Sequence, residues 1–195
     1  MTDAIKIDST ANPAPLGLLG FGMTTILLNC HNAGLIPLNS VVLSMGIFFG
    51  GLTQVAAGIM EWKKGNTFAA TAFTAYGTFW IALVSVVLLP KASLGVTAAD
   101  SVAMALFLGL WGVFSVFMFV GTFRLNKALQ VTFGLLVVLF ALLIAGDLTG
   151  NASVTVTAGW EGILCGAAAF YTGIAQVLNE VYARTVMPLG PVLAK

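Results

Sequence analysis

Charged side chains are scarce: Asp, Glu, Lys and Arg make up 8% of the 195 residues, where an ordinary soluble domain carries about 25%. Such a chain cannot cover a water-facing surface with ionic groups. Histidine occurs once and cysteine twice, too few for a zinc site of the usual four-ligand kind. Cys30 and Cys165 fall inside apolar runs and read as small packing residues, not as a disulfide framework. Eight basic against seven acidic residues leave a net charge of +1, so there is no basic surface for nucleic acid. No nucleophile–base pair stands out, since His31 is alone at a predicted loop edge. No catalytic site, metal or cofactor is expected. The first fifteen residues carry Asp3, Lys6 and Asp8 and lead into sequence without a small-residue cleavage site. No signal peptide is expected.

What the chain does have is apolar sequence, 59% hydrophobic with a mean hydropathy of +1.02. It runs from Leu16 to Leu193, and a spanning helix needs about 20 residues. Six spans fit: Leu16 to Asn29 continuing towards Leu35, Leu38 to Met60, Phe68 to Leu89, Ser101 to Phe123, Ala128 to Gly146, and Ala158 to Leu178. The breaks are His31 to Pro37, Glu61 to Asn66, Pro90 to Asp100, Arg124 to Lys127, and Asp147 to Thr157. Basic residues test that count independently. Lys6, Lys63, Lys64, Arg124, Lys127, Arg184 and Lys195 fall at the termini and in the second and fourth loops, and Lys91 alone falls in the others. Such a bias puts both termini in the cytoplasm. The chain therefore reads as an all-α integral membrane protein, one six-helix transmembrane domain over residues 1–195. Residues 1–14 form a cytoplasmic N-terminal segment and residues 183–195 a cytoplasmic tail.

Glycine is plentiful, 22 in all, with Gly46 and Gly50 four apart and Gly162 and Gly166 four apart. In lipid such pairs let helix backbones approach closely. No Lys or Arg lies near the middle of a span, so an anionic cargo would pass by weak polar contacts, helix dipoles or protonation. Thr24, Thr25, Asn29 and Gln54 are polar groups within spans, and Tyr76, Thr78 and Gln176 join them. For Gln54 and Asn29, pore lining and interhelical glue both stay open. Glu161, in the first turn of the predicted sixth span, meets the positive end of the helix dipole. Glu161, Glu180 and His31 are the titratable candidates for proton coupling. The stretch Asn12-Pro13-Ala14-Pro15-Leu16-Gly17-Leu18 is the most specific: Asn12 suits an N-cap, and proline in the first turn forfeits no hydrogen bond. It predicts a rigid helix start whose free N–H groups attract anions.

That stretch resembles the signature that opens members of the acetate uptake transporter family. The likeness continues through Gly20-Phe21-Gly22-Met23-Thr24-Thr25-Ile26-Leu27-Leu28-Asn29, and through Glu61-Trp62-Lys63-Lys64-Gly65-Asn66-Thr67-Phe68. It recurs at Gly109-Leu110-Trp111-Gly112-Val113-Phe114 and Val177-Leu178-Asn179-Glu180. The resemblance implies a six-helix protomer of the inner membrane, assembled as a homohexamer, each with its own path for acetate and succinate. It implies a cytoplasmic entrance motif at Asn12, Pro13 and Pro15, and transport described both as proton-coupled and as channel-like. It also implies a central constriction of a Phe, a Tyr and a Leu, which fall on Phe21, Tyr76 and Leu136, with Leu135 the neighbouring option. Rival readings are a channel for a neutral solute such as urea or ammonia, and a non-transporting membrane scaffold or sensor.

Overall fold

In the computed structural model, residues 10–192 are described. Lys6, Lys195 and the outer parts of the segments 1–14 and 183–195 lie outside the described residues. Six helices are long and apolar enough to cross a membrane: α1 (Ala14–Asn32), α2 (Ser40–Lys63), α3 (Thr67–Lys91), α4 (Ser101–Thr122), α5 (Lys127–Thr149) and α6 (Ala152–Val181). Five begin on a side chain that accepts from a first-turn N–H: Asn39, Asn66, Asp100, Asn126 and Asn151. Asn151 also shows how the fifth connection departs from expectation. The predicted break from Asp147 to Thr157 shrinks to two residues, Gly150 at φ 61° and the capping Asn151. A left-handed glycine followed at once by an N-cap turns the chain without a loop. Asp147 therefore belongs to α5. Glu161 lies ten residues into α6 rather than in its first turn, so the helix-dipole account of Glu161 falls.

The helices close into a ring in the order α1, α2, α3, α4, α5, α6, with the most extensive packing between α1 and α6. Glycine sets that seam. A Cβ on Gly22 would stand 2.8 Å from the carbonyl oxygen of Gly166, and one on Gly166 would stand 2.7 Å from that of Gly22. Backbone is therefore in contact with backbone, and Gly162 likewise leaves room for the Asn29 side chain. Gly166→Val should cost about 1–3 kcal/mol from overpacking, beyond the gain of under about 1 kcal/mol in helix propensity. Thermal unfolding in detergent checks this, and an unchanged midpoint would contradict so close a seam.

Midway along α2 the helix widens into a π segment, Phe48–Thr53. Gly50 packs against Thr24 there, and the Thr24 hydroxyl donates to the Met45 carbonyl at 3.4 Å. The regular helix resumes at Gln54, so the widened turn fixes where that side chain emerges. Asn12 and Gly190, near the two limits of the described residues, lie at one end of the ring. Asn12 Nδ2 donates to Gln176 Oε1 at 3.0 Å, and the segment after α6 folds back so that Lys127 N–H donates to the Gly190 carbonyl.

Candidate permeation pathway

The backbones of α3 and α4 stand apart, although they are successive in sequence. Aromatic rings fill the space instead. Phe79 contacts Phe107 and Trp111 at centroid distances of 5.7 and 5.2 Å, and Tyr76 contacts Phe114 at 5.3 Å. The Phe79–Phe107 pair is stacked and the other two are edge-to-face, and aromatic pairs of either kind each contribute about 0.5–1.5 kcal/mol beyond area burial. The cluster leaves open volume on either side of it.

A lower cavity, at the end that carries Asn12 and Leu189, has about 450 Å³ and an upper cavity about 230 Å³. Asn12, Gln54, Asn66, Asn126, Thr132 and Gln176 give the lower one its polar groups, with Arg124 its one Lys or Arg among the described residues. Asn29, Asn32 and Thr25 line the upper one together with His31 and Asp147. Three residues line both: Phe21, Tyr76 and Leu136, from α1, α3 and α5. They are 7%, 3% and 4% exposed, and the Phe21 and Tyr76 rings stand 5.9 Å apart. Leu135 lines neither cavity.

The Tyr76 hydroxyl is committed away from the path. Ser115 Oγ donates to the Trp111 carbonyl at 2.8 Å, so its one proton is used, and the 2.8 Å contact between Tyr76 and Ser115 has the tyrosine donating. What the three residues present to the cavities is therefore apolar.

Residues 2–192 match the GPR1/FUN34/yaaH family. The chain belongs to that family. It is 55% identical over 181 residues to the succinate-acetate/proton symporter SatP of Escherichia coli K12, covering 92% of this chain and 95% of that one. A solved structure of the bacterial acetate channel SatP superposes with a TM-score of 0.91 at 54% identity, covering 93% of this chain and 100% of that one. The ammonia transport outward protein 2 of Saccharomyces cerevisiae is 34% identical over 177 residues, covering 87% of this chain and 62% of the yeast protein. Membership of the GPR1/FUN34/yaaH family accounts for the six-helix membrane architecture.

The sequence-predicted polar residues separate in the structure. Gln54 is 1% exposed, lines the lower cavity, and its Oε1 has no partner. Thr25 lines the upper cavity with its hydroxyl equally unpartnered. Asn29 lines the upper cavity too, but its Nδ2 donates to the Thr25 carbonyl and its Oδ1 accepts from Asn32, so it is cavity wall and hydrogen-bonded glue at once. Thr24 lines neither cavity and serves the α1–α2 contact.

The entrance motif also behaves differently from expectation. Asn12 is one residue outside the helix cap, which is Pro13, and its Oδ1 accepts from Ala14 N–H. Pro15 has no N–H, and Leu16 N–H donates to the Pro13 carbonyl. The first turn therefore has no free N–H to hold an anion, which corrects the prediction of an anion-attracting helix start. Asn12 instead ties α1 to Gln176 of α6 at the lower mouth, and buried Pro13 and Pro15 fix the turn behind it.

Of the three titratable candidates, His31 alone lines a cavity, in the last turn of α1 with Nδ1 3.2 Å from the Ile36 carbonyl. Glu161 and Glu180 line neither, and both Glu161 oxygens are buried without a partner. Sequence reasoning missed Asn66, Asn126 and Arg124 as groups that line the lower cavity. The signal was present for the two asparagines, each directly before an apolar run, where an N-cap belongs. For Arg124 nothing local distinguishes a mouth residue from any other loop cation.

Proposed function

We propose that this chain is a multi-pass transporter of the inner membrane that moves acetate and succinate through one pathway in each protomer. The observation that carries this reading is that two cavities approach from opposite ends and share only the apolar ring of Phe21, Tyr76 and Leu136. The names of the bacterial relatives, a succinate-acetate/proton symporter and an acetate channel, support the substrate class. A short carboxylate with a methyl group suits such a ring better than a hydrated inorganic anion. Gln54 below and Thr25 and Asn29 above replace part of the water it leaves behind. The pathway holds no fixed cation at the ring, which keeps binding weak enough for release. The one lower-cavity cation, Arg124, raises the local concentration of anions at the mouth.

The chain forms one transmembrane domain with both termini cytoplasmic, supported by the clustering of basic residues at the lower end, and it assembles as a homohexamer. Proton coupling, where it operates, runs through His31 in the upper cavity rather than through Glu161 or Glu180. The yeast relative's name favours a second reading, passage of ammonia, which an apolar ring would also admit.

Reconstituted protein separates these readings. Saturable uptake of labelled acetate, competed by succinate and not by urea, is the expected result. Alkalinisation by an ammonia gradient without any acetate flux would favour the second reading. Acetate accumulation driven by an imposed pH gradient and lost on His31→Gln would support coupling at His31. Tyr76→Phe should leave acetate flux little changed while costing about 1 kcal/mol of stability through the lost bond to Ser115. Collapse of flux in folded Tyr76→Phe protein would show that the hydroxyl serves the substrate after all.

A further inference from the structure

The two cavities differ in the sign of their fixed charge. Among the described residues, Arg124 is the one Lys or Arg of the lower cavity, and no carboxylate lines it. Asp147 is the one carboxylate of the upper cavity, and no Lys or Arg lines that one. Its other ionisable groups are His31 and Tyr76, whose hydroxyl is bonded to Ser115.

Asp147 belongs to the mouth of the upper cavity, far from the ring. Leu136, Leu139, Phe140, Leu143 and Asp147 all line that cavity, a spacing that turns one stripe of α5 towards it. Asp147 is three helical turns beyond Leu136, about 16 Å higher at a rise of about 1.5 Å per residue. No hydrogen bond or ion pair with another described residue engages its carboxylate. Unlike the buried Glu161 oxygens, those of Asp147 reach accessible space.

Helix stability does not account for this residue. The last turn of a helix carries the negative end of its dipole, where a carboxylate is disfavoured. α1 and α3 end at the same mouth as α5, so three helix C-termini add field of the same sign. His31 is the one lining group able to oppose it. Its Nδ1 donates to the Ile36 carbonyl, which leaves Nε2 to take up a second proton. No titratable group of α2, α4 or α6 lines this cavity. A carboxylate entering here meets like charge, and a dianion meets twice the repulsion of a monoanion at the same distance.

We propose that Asp147 is a charge filter at the upper mouth, which favours singly charged over doubly charged carboxylates entering from that side. The filter rests on the transport reading and makes Asp147 a specificity-determining residue that acts through its field rather than by contact. Arg124 gives the lower mouth the opposite sign, so the discrimination is confined to entry from above.

The test uses spheroplasts expressing the chain, in which the upper mouth faces outward when the termini are cytoplasmic. Uptake of labelled acetate is competed by external succinate or monomethyl succinate, at a pH above both ionisations of succinate. The two competitors are close in size and differ by one charge. Monomethyl succinate should compete at least fivefold better with the wild type. Asp147→Asn, nearly identical in shape, should narrow that ratio at least threefold, and Asp147→Glu should keep it. A loss of folding or of membrane level would lower uptake without moving the ratio. A ratio unchanged in Asp147→Asn protein present at wild-type level would overturn the filter and leave the transport reading standing. Absence of any acetate uptake by the wild-type protein would overturn both.

Discussion

Phe21→Ala should admit propionate and butyrate and narrow their disadvantage relative to acetate by at least about tenfold, equivalent to about 1.4 kcal/mol off the relative barrier. The ring is what separates the two cavities, and Phe21 is one of its three members. Removing the phenyl group joins about 450 Å³ below to about 230 Å³ above along one side of Tyr76. Its neighbours cannot collapse into the gap easily, because Tyr76 is held by Ser115 and packed against Trp111, Phe114 and Phe133. The stability lost should fall below the roughly 3–5 kcal/mol of a fully packed phenylalanine, since open volume already flanks this one. Competition between labelled acetate and each longer acid, in protein shown to be folded by gel filtration, checks the ratio. An unchanged ratio would place the selective step elsewhere.

The second large effect concerns stability rather than flux. Glu161→Leu should stabilise the protein by roughly 1–3 kcal/mol, the cost of a buried polar group left without a partner. Both carboxyl oxygens of Glu161 are buried and unpaired in the third turn of α6, away from either cavity. Leucine is of similar size and brings no polar atom into that position. Thermal unfolding in detergent should show the rise, and acetate flux should stay close to wild type. Loss of pH-driven accumulation in Glu161→Leu protein, with downhill flux intact, would instead make Glu161 a proton relay although it lines neither cavity.

Much of this architecture is written in the sequence because the bilayer permits few solutions. Apolar runs of spanning length and the placement of Lys and Arg are enough to count six helices. Boundaries are harder where polar and small residues continue a helix past the apolar stretch. Asp147 and the Ala152–Thr157 segment read as loop by hydropathy, yet Gly150 and Asn151 complete the turn between them. The ring residues were accessible only through family resemblance, for no spacing rule joins position 21 to positions 76 and 136. Leu136 rather than Leu135 follows from rotation about α5, which needs the packed helix to decide. The widened turn at Phe48–Thr53 has only the Gly50-Gly51 pair as its trace in the sequence.

The most direct measurement compares labelled acetate entry into proteoliposomes for wild-type protein and Leu136→Trp, corrected for acid leak through empty liposomes. An indole in place of Leu136 fills the one place where the two cavities meet. The account predicts saturable, protein-dependent acetate flux in the wild type and its loss in folded Leu136→Trp protein. Acetate flux that persists through the Leu136→Trp variant would contradict a path through the Phe21–Tyr76–Leu136 ring.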